Sequence, residues 1–313
     1  MILLKQMSVL FIIMIVGYIC RKKDMFNDSA IKSISSLVVN VANPLLIVDA
    51  AIDAKKTLTG GDLAFTFFIA VAMNVFLLLV SRLVPLILRT KKEEEGLWRV
   101  ITVFSNTGFM GFPLISAVYG PEALLHAAIF QLPFALLVYT WGISIIRGKK
   151  EKDPGESGLH KVTDTLKKLF NAGIVACIVS VVIYLMDLTP PEVLRSSIDY
   201  IANITPPLSM MVIGDSLAKT EIKSLVTDKK LLLFSFLKLI IIPVLWMLIL
   251  SPLSLDANLK GTCMIMIATP VATMPVMLAK QYDADVSIPS RGVALTTILS
   301  VVTIPIISLI FSV

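Results

Sequence analysis

The chain runs to 313 residues, long enough for one or two soluble domains, yet 56% of it is apolar, only 16% is charged and its mean hydropathy is +0.87. A soluble domain carries nearer a quarter charged residues, so there are too few charges here to wet a globule of this size, and lipid has to cover much of it. The net charge of +6 sits in short clusters between apolar runs, Arg21-Lys22-Lys23 and Arg147 to Lys152 among them, which is the pattern of cytoplasmic loops facing anionic lipid and not a nucleic-acid footprint.

A spanning helix needs about 20 mostly apolar residues, and ten runs qualify. Span 1 covers 2–20; Lys5 and the apolar run after it imitate a signal peptide, but no small-x-small cleavage site follows before Arg21. Span 2, 31–52, carries Asn40-Val-Ala-Asn-Pro44 and, towards its outer end, Asp49. Span 3, 62–88, holds Asn74, the anchor-like Arg82 and Pro85. Span 4, 98–118, reads Asn106-Thr107-Gly108-Phe109-Met110-Gly111-Phe112-Pro113, and span 5, 123–146, contains His126 and Gln131. A charged Pro/Gly/Ser-containing linker, 147–167, follows near mid-chain. Spans 6 and 7 are 168–187 and 198–218; the latter carries Asn203-Ile-Thr-Pro-Pro207 and Asp215. Span 8, 229–250, has Lys238 about a third of the way along and then Pro243. Span 9, 259–280, reads Ala268-Thr269-Pro270-Val271-Ala272-Thr273-Met274-Pro275, and span 10 is 288–312.

The basic residues test this count. The loops and flanking turns after spans 1, 3, 5, 7 and 9 carry 21 of the 28 Lys and Arg; the N-terminus and the other loops carry 5. The bias predicts that both termini lie on the non-cytoplasmic side of the cell membrane.

The chain also repeats itself. Asn40…Pro44 and Asn203…Pro207 share an N-x-x-x-P pattern at an offset of 163, Pro113 and Pro275 are 162 apart, and Pro85 and Pro243 are 158 apart. Residues 1–146 and 168–313 therefore read as two five-helix halves. Five is odd, so the second half enters the membrane upside down, which is the usual construction of a secondary transporter.

Proline removes an amide donor and clashes with the preceding turn. In hydrocarbon, freed backbone groups are tolerated only inside protein or on a cavity. The motifs of spans 4 and 9 are therefore expected to be helix breaks near the bilayer midplane, as are Asn43-Pro44 and Pro206-Pro207. Half-helices that start at such breaks point positive dipole ends inward, towards a site suited to a carboxylate.

With these motifs the chain resembles the auxin efflux carrier family, which includes plant auxin exporters and bacterial permeases for malate- or malonate-like acids. The resemblance extends over essentially the whole length. It implies an all-α polytopic fold of ten transmembrane helices like that of bile-acid symporters and sodium/proton antiporters. Helices 4 and 9 would cross at their breaks within a mobile transport domain of spans 3–5 and 8–10. Spans 1, 2, 6 and 7 would form a scaffold that also mediates homodimerisation. It places Pro113 and Pro275 at the crossover, with Asn106 and Asn203 near the substrate. The set expected to bind substrate is Asn40, Asn106, Thr107, Gly108, Pro113, Asn203, Pro207, Thr269, Pro270 and Pro275. The long central loop of the plant carriers is missing, which argues against auxin itself as cargo.

The expected function is a carrier of small organic anions, carboxylates above all, by alternating access. Lys238, Asp215, Asp49 and His126 are the candidates for charge or coupling, because an ionisable group within a span is costly unless it works. The crossover motifs contain no carboxylate, which argues against an obligatory cation site there. A sodium- or proton-coupled carrier of related fold is the second reading. A membrane-embedded enzyme is the third; with two histidines and no H-E-x-x-H or paired carboxylates within the spans, nothing speaks for it. Cys20, Cys177 and Cys263 lie in apolar runs and read as small hydrophobes, so no disulfide, metal or cofactor is expected.

Overall fold

Without water to satisfy the backbone, an apolar segment has to pair its amides internally, and the helix does so. The computed structural model describes residues 2–147, 171–219 and 221–311. Those residues are helical, with one isolated β-bridge between Ser105 and Val271. Most of the linker expected at 147–167 lies outside the described residues.

The helices run in chain order as α1 (Ile2–Lys22), α2 (Asp28–Asp53), α3 (Gly60–Leu88), α4 (Lys92–Val103), α5 (Thr107–Tyr119) and α6 (Pro121–Ile146). The rest are α7 (Ala172–Met186), α8 (Glu192–Ala202), α9 (Thr205–Ala218), α10 (Ile222–Thr227), α11 (Lys229–Leu250), α12 (Ala257–Ala268), α13 (Met274–Gln281) and α14 (Ser287–Phe311). Six of them (α1, α2, α3, α6, α11 and α14) are long and apolar enough to cross a membrane. The segments read as spans 4, 7 and 9 are each interrupted, as α4/α5, α8/α9 and α12/α13, and span 6 is the short apolar helix α7.

Three helices contain a wide, π-type turn two residues before a proline: Val38–Ala42 before Pro44, Thr107–Gly111 before Pro113 and Leu237–Ile241 before Pro243. In each, the residue just ahead of the proline donates its amide five residues back: Asn43 to Val38, Phe112 to Thr107 and Ile242 to Leu237. Proline cannot donate and its ring crowds the carbonyl four residues earlier, so the preceding turn opens by one residue.

Two packing groups emerge. In one, α1 lies along α9, and α2 packs against α7 and α8. In the other, α3 packs on α4 and α6, α12 on α6, and α11 and α12 on α14. The α1–α9 contact depends on glycine: a Cβ at Gly17 would collide with the Met211 backbone, and one at Gly214 with the backbone of Met14 and Tyr18. At the basic end of this pair, buried Asp215 meets Lys219 at 2.7 Å and Arg21 at 3.5 Å, while Asp28 joins the same two cations at 3.0 and 2.7 Å. Large apolar side chains such as Phe68, Leu86, Leu245 and Ile310 project outward, as lipid-facing positions do.

Candidate functional site

The interruptions of α4/α5 and α12/α13 meet. Pro270 disfavours helix at Thr269 and has no amide of its own, so α12 stops at Ala268 and Thr269 is extended. Phe104, after α4, is extended as well. The two extended pieces lie antiparallel, with Ser105 opposite Val271. The Asn106 amide donates to the Pro270 carbonyl at 2.7 Å and the Ala272 amide to the Phe104 carbonyl at 3.0 Å. The Val271 amide donates to Thr296 Oγ1 on α14 at 3.0 Å. Each break therefore satisfies the amides that the other frees, which is why both persist in a buried setting.

Beside the crossing is a cavity of about 320 Å³, lined by residues of α2, α6, the two breaks and the start of α7. Its polar lining comes from Asn40, Asn43, Ser105, Asn106, Thr107, Gln131, Tyr139, Asn171 and Thr273; none of its lining residues is charged. Apolar lining comes from Phe109, Phe112, Phe134, Met274 and Met277 among others. The half-helices α5 and α13 both begin here, as does α7 behind its N-cap Asn171, so three positive dipole ends converge on an uncharged, partly open space.

Two asparagine atoms in this lining have no protein partner. Asn106, 3% exposed, caps α5 by accepting the Phe109 amide on Oδ1 at 3.3 Å, and its Nδ2 is unpaired. Asn43 donates from Nδ2 to the Gly108 carbonyl at 3.3 Å, and its Oδ1 is unpaired. Thr107 Oγ1 donates to Gln131 Oε1 at 3.2 Å, tying α5 to α6. Val39 and Asn40 on α2, Tyr139 on α6 and Asn171 put the cavity on the side where Arg21-Lys22-Lys23 and Arg147 end their helices. On the other side Ala51, Leu63, Leu125, Ile129 and Tyr184 form a packed apolar cluster. There Tyr184 OH accepts from the Leu58 amide and donates to the Lys55 carbonyl, at 2.7 and 3.1 Å.

Of the residues expected to bind substrate, the structure brings Asn40, Asn106, Thr107 and Gly108 together on this cavity. Pro113, Thr269, Pro270 and Pro275 are buried in the framework around it and do not line it. Asn203 and Pro207 stand elsewhere. Asn203 closes α8, is exposed and donates to Asp199 Oδ1 at 2.7 Å. Asn43, Gln131, Tyr139, Asn171 and Thr273 join the site; of these, Asn43 carried a signal, standing directly before Pro44. Among the charge candidates, Asp215 is held in the Arg21–Lys219 network and Asp49 sits half-buried in α2. His126 Nδ1 is 2.7 Å from Thr66 Oγ1 in the packed interior. None of these three lines the cavity. Lys238 is buried directly behind the crossing: its Nζ donates to the Thr102 carbonyl at 3.0 Å and to Ser105 Oγ at 2.7 Å.

Long apolar helices, with two interrupted ones crossed at their breaks beside a partly open cavity, define a multi-pass membrane protein of transporter type. A family model described as membrane transport protein matches residues 2–308. The chain belongs to that family, the auxin efflux carriers. It is 22% identical over 302 residues to an uncharacterized transporter of Methanocaldococcus jannaschii, covering 95% of this chain and 94% of the relative. To an uncharacterized transporter of Methanothermobacter thermautotrophicus it is 24% identical over 307 residues, covering 97% and 96%.

Proposed function

We propose that this protein is a secondary carrier of small organic anions, carboxylates in particular, working by alternating access around the crossing of α4/α5 with α12/α13. The observation that carries the reading is the unpaired Asn106 Nδ2, a buried donor beside the N-termini of α5 and α13 in a cavity without a carboxylate. A buried donor left unsatisfied is costly, and a carboxylate oxygen is the acceptor that helix N-termini favour. The apolar remainder of the lining suits a short carbon skeleton.

On this reading the chain spans the cell membrane ten times as two inverted halves, with both termini outside. The group α3–α6 with α11–α14 moves against α1, α2 and α7–α9, and a malate- or malonate-type acid is a suitable cargo. The cavity on the basic-loop side is then the cytoplasm-facing state, sealed from outside by the Tyr184 cluster. Asn203, matched to Asn40 in the repeat, would face the cavity of the opposite state.

The test is uptake into proteoliposomes of radiolabelled acetate, phenylacetate, malonate and malate under imposed pH, sodium and potential gradients. Saturable uptake of at least one acid is expected without sodium; a membrane potential of 100 mV supplies about 2.3 kcal/mol per charge. No uptake of any acid, or uptake only with sodium, would sink the reading.

A further inference from the structure

Lys238 is 0% exposed, and among the described residues no carboxylate lies within ion-pair distance of it. The wide turn Leu237–Ile241 ahead of Pro243 carries it on α11. Its Nζ takes the Thr102 carbonyl, the acceptor that an unbroken helix would have offered to the Asn106 amide, which goes to Pro270 instead. That carbonyl is at the C-terminal end of α4, where the helix dipole favours a cation but does not neutralise it. A buried ammonium without a counter-ion is costly, and protein interiors ordinarily provide one. Its second partner is Ser105 Oγ, and Ser105 lines the cavity next to Asn106.

We propose that the transported anion is itself the missing counter-ion: Lys238, acting through the Ser105 hydroxyl, sets the site for one negative charge without touching the cargo. A carboxylate bound at Asn106 Nδ2 stands one hydroxyl away from the ammonium. Lys238 is thus a positioning residue for charge, offsetting one carboxylate of the cargo. The proposal rests on the anion-carrier reading above.

The experiment measures KM and kcat for the same four acids in wild type, Lys238→Gln, Lys238→Arg and Ser105→Ala proteoliposomes. Each protein is checked for monodispersity and Tm. Lys238→Gln keeps a donor but no charge. We expect its KM to rise about tenfold or more, as loss of a charged hydrogen bond predicts, with kcat per folded protein within about threefold. Lys238→Arg should keep KM within about threefold of wild type. A monodisperse Lys238→Gln protein with KM within about twofold of wild type overturns the proposal. If that variant does not fold, Ser105→Ala, which leaves the lysine in place, decides: about a fivefold rise in KM supports the proposal and an unchanged KM overturns it. Wild-type protein that takes up none of the acids removes the anion-carrier reading altogether. Normal wild-type uptake with unaltered variants removes the Lys238 assignment alone.

Discussion

The amide of Asn106 has two ends, Oδ1 capping α5 and Nδ2 buried without a protein partner. Asn106→Ala loses both functions. We expect a Tm lower by a few degrees, from a cap worth about 1 kcal/mol, and a KM about tenfold higher in the uptake assay. Asn106→Asp keeps a capping oxygen and adds a negative charge to the cavity, so Tm should hold while anion uptake is lost. Retained uptake with this variant would place the cargo elsewhere. Asn43→Ala should raise KM about fivefold, as loss of one hydrogen-bonding side chain predicts. Asn106 was legible in the sequence because it opens a run of small and aromatic residues that ends at Pro113. Gln131 and Tyr139 were not, since a lone polar residue in an apolar helix looks the same whether it faces a cavity or a neighbour.

At the scale of the element, proline positions mark where most helices open, though the wide turn Val138–Gly142 of α6 has no proline just after it. Pro270 ends α12, and Pro44, Pro113 and Pro243 each force a wide turn. These effects are local, so composition and spacing reveal them. A wide turn, however, shifts the register of the remaining helix by one residue, roughly 100° of rotation, and the turn at Val38–Ala42 contains Asn40. The N-x-x-x-P pattern selected Asn40 and Asn203 by their distance from a proline. It could not show that Asn43 would reach the Gly108 carbonyl or that Asn203 would bond to Asp199. The α1–α9 contact makes a separate prediction. Gly214→Leu inserts a side chain where the Met14 backbone stands, and should destabilise by about 1–3 kcal/mol or more through overpacking. A Tm scan in detergent checks this; an unchanged Tm would mean that the helices separate freely. Loss of Thr296 Oγ1, which holds the Val271 amide at the crossing, should cost about 1–3 kcal/mol in Thr296→Ala by the same measurement.

For the whole molecule, the two packing groups touch where α6 meets α2 and α7, where α5 meets α9 and α1, and where α1 meets α14, and the cavity lies at part of that border. If the groups exchange positions between two inverted states, the asparagines of the two halves should act on opposite sides. Asn43→Ala is expected to raise KM for substrate offered from the basic-loop side and leave the opposite-side KM within about twofold. Asn203→Ala should do the reverse. Oriented proteoliposomes measure both, and equal effects on both sides would count against the exchange.

Much about this protein is local and could be read before any coordinates. Lipid solvation follows from too few charges, the helices from apolar runs of spanning length, and the breaks from Pro and Gly within them, because each is a property of a few neighbouring residues. Three things depended on packing at long range: the pairing of Ser105 with Val271, the meeting of Asn43 with Gly108, and the burial of Lys238 against Thr102. They bring together residues more than 60 positions apart. Which freed amide finds which carbonyl is settled only when the helices have packed and water has been excluded.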